Sequence, residues 1–360
     1  MNILITAPSL NPSQNVNGIS TVVITIIQHN KSHNYCHYLL GRPDKPVNKL
    51  ELVIQIVRQL LFFPIILKRE KIDLVHQNLP FNPKGVLREY IINVWCRLLG
   101  VPVMLHVHGG VFLMNETKNP IYSRISRTLF RHSKQVVVLS EIEKNSLDSF
   151  YQFPLAKVLC NSIDVASYLN KGKRLPKCKP ALLFIGRVHE SKGVEDIIEA
   201  FQKLKATIDF RFILCGIGPL KDQFVTACEE LLGSDFEYKG IISGQEKIDI
   251  IHQSDFFLLP SRYGEGLPMA MLETMAAGVV PVVTDDASMK FVVHHQINGI
   301  RVEKRNPQDL YEKLKDVITN VSLYKSLSIN ASKTIAEKYD ISNYIVELNE
   351  IYNSVLIESI

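Results

Sequence analysis

The chain has 360 residues, which is long for a single hydrophobic core and predicts two domains. Its 46% hydrophobic and 21% charged residues are ordinary for a soluble globular protein. The six cysteines are scattered without a CxxC pair, which favours reduced thiols over disulfides or a zinc site. The start, MNILITAPS, predicts a first strand and not a secretory leader. Polar residues and Pro64 interrupt the apolar stretch 52–67, so we do not expect a transmembrane helix.

Charge is divided unevenly along the chain. Residues 1–175 contain 21 Lys and Arg against 10 Asp and Glu, a net charge of +11, whereas residues 176–360 contain 20 against 26, a net charge of −6. Either solvated faces carry these charges by chance, or the first half faces an anionic membrane or lipid phosphate. Nucleic acid is not expected as a partner, because the basic residues are not interleaved with aromatic ones in a recognisable binding module.

Short apolar runs alternate with helical patterns in the first half of the chain. We expect strands at 2–7, 72–76, 103–107 and 135–139, with a short apolar run at 38–40. Helices are expected at 19–29, 50–68 and 84–99, around 126–131, and after Ser140, where Ser140 and Glu143 form a capping box. A polar loop at 11–18 contains a single glycine, Gly18.

The same alternation restarts after a basic, proline-containing stretch at 171–180, which is the best candidate for a linker. Strands are expected at 181–185, 212–215, 256–259 and 280–284, and the chain is expected to be helical from Pro307 onward. This pattern predicts an α/β protein with two doubly wound domains and a cleft between them. In such sheets ligands bind at the carboxyl ends of the strands.

The stretch 260–281, PSRYGEGLPMAMLETMAAGVVP, predicts a loop followed by a helix. Pro268 is expected at the first helical position, which needs no N–H donor, and Gly278 is expected to end the helix. The free N–H groups at the helix start would form an anion site. Glu265 precedes the helix and Glu273 lies inside it. They are either solvated carboxylates, a glycosidase-type pair, or, with Glu273 buried, acceptors for sugar or ribose hydroxyls.

Two further turns follow predicted strands. In IGRVHESKG, Gly186 allows close approach of a ligand, and Arg187 with Lys192 would bring two cations to a diphosphate; the alternative is an ordinary surface turn. The glycines of the second turn, Gly216 and Gly218, are either part of the same site or simply make a tight strand–helix turn.

Two histidines lie at the end of the strand at 103–107. His106 and His108 alternate along it, so they share one face. We expect His106 to be a core residue. His108 precedes two glycines and is the better candidate for the cleft.

Together these stretches resemble the retaining glycosyltransferases of family 4, which have the GT-B fold. The similarity runs in order over most of the chain: a loop with Gly18, His108, VVVLSEIEK (136–144), NSID (161–164), FIGRVHESKG, CGIGP and the E-x7-E stretch with EGLPMAMLE. The last three in order are highly specific. Two departures affect acceptor-side details: Asn17-Gly18 stands where paired glycines are common, and Cys160-Asn161-Ser162 replaces a Pro-Asn-Gly turn.

The resemblance implies a GT-B architecture of two Rossmann-like domains facing a central cleft. The acceptor-side domain would span 1–170 and the nucleotide-sugar domain 176–339, with a helix at 340–360 crossing back onto the first domain. The donor diphosphate would contact Arg187 and Lys192, together with the glycines Gly186, Gly216 and Gly218. Gly266 and Leu267 would offer N–H groups to the sugar or phosphate.

The resemblance also implies the remaining site roles. Glu273 would hold the ribose, Glu265 the donor sugar hydroxyls, and His108 would face the transferred sugar, while Gly18 would lie in the acceptor-side loop. No metal or other cofactor would be needed, because the cations and the helix start offset the charge on the leaving diphosphate. The co-substrate would be a UDP or GDP sugar.

We therefore expect a cytoplasmic, retaining hexosyltransferase, peripheral at the inner face of the cell membrane. Its acceptor would be a hydroxyl of a glycan or lipid-linked acceptor, in the assembly of a surface polysaccharide such as lipopolysaccharide. The rivals are a nucleotide-sugar epimerase or hydrolase of the same fold and a non-catalytic nucleotide-sugar-binding module. An acceptor-dependent release of nucleotide distinguishes them.

Overall fold

A computed structural model describes residues 1–11, 14, 18–41, 48–169, 178–286 and 288–357. They divide into two compact units, 1–161 with 341–360, and 162–340. The predicted linker lies mostly in 171–177, and the polar loop at 11–18 mostly in 12–17, so both fall largely outside the described residues.

Unit 1 is a parallel sheet with helices between its strands. Its strands pair in the order β2-β1-β3-β4-β5-β6. They are β1 (Asn2–Ala7), β2 (Asn34–Leu39), β3 (Leu74–Leu79), β4 (Val103–Val107), β5 (Gln135–Val138) and β6 (Lys157–Val158). The helices within residues 1–161 are α1 (Gly18–His29), α2 (Lys49–Arg69), α3 (Pro83–Leu98), α4 (Val111–Met114), α5 (Pro120–His132) and α6 (Glu141–Tyr151).

Unit 2 has the same plan. Its parallel strands pair in the order β12-β11-β10-β7-β8-β9. The strands are β7 (Ala181–Ile185), β8 (Arg211–Cys215), β9 (Phe236–Gly240), β10 (Phe256–Leu259), β11 (Val280–Thr284) and β12 (Ile300–Val302). The helices are α7 (Val165–Tyr168), α8 (Val194–Leu204), α9 (Lys221–Leu232), α10 (Gly244–Gln253), α11 (Met269–Ala276), α12 (Met289–Val292), α13 (Pro307–Thr319) and α14 (Val321–Lys338), followed in unit 1 by α15 (Ile341–Ile357).

The C-terminal helix α15 belongs to unit 1. It buries Tyr344, Leu348 and Tyr352. Asn349 Oδ1 accepts from Asn30 Nδ2 at 2.7 Å and lies 3.0 Å from His33 Nε2. The helix therefore returns to the unit that contains the N-terminus.

Helix α2 meets the length and hydropathy of a membrane span. The segment Leu50–Arg69 has a mean hydropathy of 1.9, and only 17% of it is buried inside the protein. From the interrupting polar residues we expected no transmembrane helix, and this match by length and composition alone leaves that prediction untested. Gln59 is buried within the fold, so it does not interrupt the apolar side that faces solvent.

Candidate donor site in unit 2 and histidine cluster in unit 1

Three loops meet at one edge of the unit 2 sheet. They follow β7 (186–193), β8 (216–220) and β10 (260–268), and these strands are neighbours in the order β10-β7-β8. Because the strands are parallel, the carboxyl ends of all three lie at the same edge. The sequence-predicted donor residues are thereby brought together, apart from Glu273, which lies in the following helix.

The glycines after β8 allow two of these loops to pack. Val188 N donates to Ile217 O at 3.0 Å, and Leu220 N donates to Val188 O at 3.1 Å. A Cβ on Gly218 would lie 2.2 Å from Val188 O, and one on Gly216, whose φ is +134°, would lie 1.9 Å from Gly186 O. Both positions therefore require glycine for loop packing. A Cβ on Gly186 would meet only the Phe184 ring, at 3.6 Å.

The loop after β7 also packs against the loop after β10. Gly193 has a φ of +68°, and a Cβ there would lie 2.1 Å from Pro260 O. The Arg262 guanidinium binds both carboxylate oxygens of Asp196, with Nη2 2.7 Å from Oδ1 and Nε 3.1 Å from Oδ2. It also donates to Glu195 at 2.5 Å. These hydrogen bonds, Asp196 first, raise the pKa of Arg262 above its ordinary value. Arg262 thus ties the first turn of α8 to the site, and no sequence pattern singled it out.

Glu265 is a buried carboxylate with a cationic partner. It is 7% exposed, and its Oε1 accepts from Lys192 Nζ at 2.5 Å and from the Ser261 hydroxyl. A carboxylate removed from water needs such partners to remain charged. The structure therefore places Lys192 directly against Glu265.

Glu273 is also buried and partnered. It is 2% exposed, its Oε1 accepts from the Tyr168 hydroxyl at 3.0 Å, and its Oε2 forms an ion pair with Lys247. Burial, with Glu273 nearby, raises the pKa of Tyr168. Sequence reasoning missed Tyr168 and Lys247, because they lie 105 and 26 positions from Glu273 and no motif connects them.

Helix α11 begins beside Glu265 without a side-chain cap. Pro268 is the residue before the helix, with φ −67° and ψ 121°, so the expectation that it is the first helical residue was wrong. Its extended ψ breaks the helical run there. No side chain caps this start among the described residues, while Gly278 (φ +75°) follows the helix end as expected. Gly266 is partly exposed, and Leu267 is buried.

Arg187 is the cation of this site that remains open to solvent. Its side chain is exposed and forms no ion pair with any residue that the structure describes. It differs in this from Lys192 and Arg262, which are both engaged with carboxylates.

In unit 1, His108 directly follows β4, and its orientation is fixed by Asn78. The Asn78 Nδ2 donates to Thr6 O at 2.8 Å, so its Oδ1 faces His108 Nε2 at 2.6 Å. Because Oδ1 can only accept, Nε2 carries the proton and Nδ1 is left as the acceptor nitrogen. Gly18 is the exposed first residue of α1, and nothing described lies within 4 Å of where its Cβ would be.

His108 is the partly exposed end of a histidine cluster whose other members, His76 and His106, are fully buried. His76 Nδ1 lies 2.7 Å from the Tyr352 hydroxyl, His76 Nε2 lies 3.2 Å from His106 Nδ1, and the rings of His106 and His108 are 4.0 Å apart. Burial lowers the pKa of His76 and of His108 to about 3 and that of His106 well below its ordinary value. His106 is fully buried, as expected for a core residue.

Two family models match consecutive parts of the chain. The model "Glycosyltransferase Family 4" matches residues 16–167, and "Glycosyl transferases group 1" matches residues 169–334. The chain belongs to the family 4 glycosyltransferases. The family expected from the three donor-site motifs is thereby confirmed.

Relatives of this glycosyltransferase include proteins from archaea and bacteria. An uncharacterised glycosyltransferase of Methanocaldococcus jannaschii is 28% identical over 81% of this chain and 78% of its own length. The GDP-mannose:cellobiosyl-diphosphopolyprenol alpha-mannosyltransferase of Xanthomonas campestris is 24% identical over 67% of this chain and 64% of its own length.

Solved structures confirm the GT-B fold of this glycosyltransferase. HepE of Anabaena, whose crystal structure is in complex with UDP and glucose, superposes with a TM-score of 0.77. The match covers 98% of this chain and all of HepE at 17% identity, so it shows the fold alone.

Proposed function

We propose that this enzyme is a retaining glycosyltransferase that moves a sugar from a nucleotide diphosphate sugar to a hydroxyl of a glycan or lipid-linked acceptor. The observation that carries this is the buried Lys192–Glu265 pair beside the uncapped start of α11. A cation, a carboxylate and a helix start at one sheet edge suit a ligand with both phosphates and hydroxyls.

The cationic part of the site binds the diphosphate. Arg187 is exposed and ready for an anionic ligand, and the same loop carries Lys192, whose Nζ binds Glu265. The N–H groups at Gly266, Leu267 and the start of α11 add further donors. As the bond to the sugar breaks, negative charge builds up on the diphosphate, and these fixed donors stabilise it.

The carboxylates bind hydroxyl groups. Glu273, buried and held by Tyr168 and Lys247, accepts from the ribose, and Glu265, held by Ser261 and Lys192, accepts from the donor sugar. Carboxylates repel phosphates but accept readily from hydroxyls, which supports this division of roles.

In the transfer step, the acceptor oxygen forms a bond to the anomeric carbon as the bond from that carbon to the diphosphate oxygen breaks. The acceptor proton passes to the leaving phosphate oxygen on the same face of the sugar, so the configuration is retained. No metal ion takes part in this scheme, and activity should therefore persist in EDTA. For His108 we propose a role in the transfer step and not in nucleotide binding.

The donor is a UDP or GDP hexose, and the acceptor is carried by a lipid. UDP is bound in HepE, and the Xanthomonas relative is named for GDP-mannose and a diphosphopolyprenol acceptor. The net charge of +11 in residues 1–175 also suits an acceptor at an anionic surface. The activity would then serve surface polysaccharide assembly, such as that of lipopolysaccharide, at the cytoplasmic face of the membrane.

An assay of nucleotide release tests this proposal. UDP and GDP hexoses are supplied with and without a polyprenyl diphosphate glycan, and release should require the glycan. Glu265→Gln should lower kcat by about 100-fold or more while nucleotide binding survives, because an interaction strengthened in the transition state is lost. Arg187→Gln should raise the Kd for the donor and lower kcat, whereas the exposed Arg305→Gln should change neither.

The outcomes separate the rival functions. Release without any acceptor would indicate a hydrolase, and conversion of the donor sugar without release would indicate an epimerase. Binding of a donor with no turnover on any acceptor would leave a binding module. Product of inverted configuration would overturn the retaining step.

A further inference from the structure

The solvent face of α2 is apolar along its length. Leu50, Ile54, Val57, Leu61 and Ile65 are between 45% and 67% exposed. Successive members of this set are three or four residues apart, so they form a single stripe on the helix surface. A surface helix of a soluble protein normally presents polar residues to water, and a continuous apolar face of this kind indicates an interaction site.

The opposite face of α2 holds the helix in unit 1. Phe63 and Leu67 are buried in the core of that unit. The buried Gln59 side chain lies within hydrogen-bond distance of both Gly41 N and Gly41 O, at 3.4 Å each, and Gln59 O accepts from the Tyr38 hydroxyl at 2.5 Å. A helix fixed in this way can present its apolar side to a partner but cannot cross a bilayer without leaving its own domain.

Cations border the apolar stripe. Arg58 lies one helical turn from Ile54 and Phe62, and Lys68 continues the stripe at its C-terminal end; both are exposed and have no ion pair with any described residue. Arg69 is exposed but paired with Glu70. Long cationic side chains beside an apolar stripe fit the boundary between acyl chains and anionic headgroups.

We propose that the exposed face of α2 docks unit 1 on an anionic phospholipid bilayer, with the helix axis in the plane of the surface. The apolar stripe enters the acyl boundary, and Arg58 and Lys68 contact lipid phosphates. A bilayer fits better than a second copy of the chain, because α2 exposes Arg58 and Lys68 against the single carboxylate Glu51, and residues 1–175 carry a net charge of +11. The docking does not depend on the donor site in unit 2.

Vesicle sedimentation of the full chain tests the docking. The vesicles are phosphatidylcholine alone or with one third phosphatidylglycerol, at low and at high salt. The wild type should bind the anionic vesicles more tightly, and salt should weaken that binding. Leu61→Glu/Ile65→Glu should reduce binding at least about tenfold, because it places charges in the apolar stripe. Arg58→Gln/Lys68→Gln should remove the preference for anionic vesicles.

A matched control comes from another helix. Val321 and Ile329 on α14 in unit 2 are 46% and 67% exposed, so Val321→Glu/Ile329→Glu adds the same charges at similar exposure and should leave binding unchanged. Circular dichroism confirms that each variant is folded.

Three results would overturn the proposal. One is a wild type that binds neither vesicle, and another is a Leu61→Glu/Ile65→Glu variant that binds like the wild type. The third is a wild type that forms a dimer in light scattering and binds no vesicles, while the Leu61→Glu/Ile65→Glu variant is a monomer. That result would make the face a contact between copies. Since donor binding in unit 2 is measured without vesicles, failure here leaves the proposed transfer reaction untouched.

Discussion

At the scale of residues, the ion pair between Lys192 and Glu265 determines what the candidate site can do. The Glu265 side chain is 6% exposed and that of Lys192 21%, so the pair is largely shielded from water. Removing one partner from such a pair leaves an uncompensated charge, which costs more than the pair itself contributes. The pair is therefore both a structural element and part of the proposed chemistry, and variants must separate the two roles.

Lys192→Met should lower the free energy of unfolding of unit 2 by about 2 to 3 kcal/mol, because Ser261 is then the one side-chain partner left to Glu265 among the described residues. The double variant Lys192→Met/Glu265→Gln should recover much of that loss, since no buried charge remains, but should stay inactive. Urea unfolding of unit 2, followed by circular dichroism, and the transfer assay check the two parts. A double variant as unstable as the single one would show that the loss of stability does not come from the unpaired charge of Glu265.

The residues of the proposed donor site could be selected from the sequence because glycines, cations and carboxylates stand at fixed spacing after apolar strands. Their partners could not. Arg262, Lys247 and Tyr168 are held to the site by contacts between residues far apart in the chain, and each of these residue types is common on ordinary surfaces. The sequence also did not indicate that Lys192 would contact Glu265 directly.

At the scale of elements, the close packing of the three loops holds the site together. Gly193 and Gly233 provide a comparison, because both have a positive φ, +68° and +57°, although the ψ of Gly193 is 29° and that of Gly233 is −124°. A Cβ on Gly193 would meet Pro260 O at 2.1 Å, whereas nothing lies within 4 Å of a Cβ on Gly233. Only the first therefore combines backbone strain with a clash against another loop of the site.

Gly233→Ala should cost at least about 1 kcal/mol of stability from backbone strain and leave donor affinity unchanged. Gly193→Ala should also cost stability and, in addition, weaken donor binding at least about tenfold, because the loop carrying Arg187 and Lys192 must move away from the loop carrying Glu265. Calorimetric titration with the donor measures the difference. Equal donor affinity in both variants would contradict the role given to loop packing.

Strand prediction succeeded in the sheet interiors and failed at the edges. β1, β4, β7, β10 and β11 lie where the apolar runs predicted them. The sequence missed β6, β9 and β12 and located only the end of β2, and these four are the edge strands of the two sheets. An edge strand is covered on fewer sides, so a sequence such as FEYKG in β9 carries little apolar signal. Similarly, α2 was predicted as a helix, but apolar residues lie on all of its sides. The sequence therefore did not indicate which face is buried.

At the scale of the whole molecule, the histidine cluster should make unit 1 sensitive to acid. His76 and His106 are buried with lowered pKa values, so between about pH 6.5 and 3 the unfolded chain binds protons that the folded one does not. Stability must then fall as the pH falls. Burial raises the pKa of Glu143 to about 7 and also raises that of Glu89. The folded chain therefore binds more protons than the unfolded one at these two carboxyls, which raises stability as the pH falls to about 4.5. The loss should therefore be steepest below pH 4.5.

Trp95 is the single tryptophan of the chain and lies in unit 1, so its fluorescence reports the unfolding of that unit. Between pH 4.5 and 3.5, His106→Leu should reduce the slope of the free energy of unfolding against pH by up to about 1.4 kcal/mol per pH unit. The exposed His29→Gln in the same unit serves as the control for the loss of a histidine. An unchanged slope in His106→Leu would show that the buried histidines do not govern acid stability.

We propose that the three loops of unit 2 form the nucleotide-sugar site, and amide hydrogen exchange can test this assignment segment by segment. Exchange is followed by mass spectrometry with and without UDP or GDP, using whichever nucleotide raises the thermal midpoint. We expect slower exchange in the segments 186–193, 216–220 and 260–277, and loss of that protection in Arg187→Gln at the same nucleotide concentration. A nucleotide that stabilises the protein but leaves these three segments unprotected would contradict it.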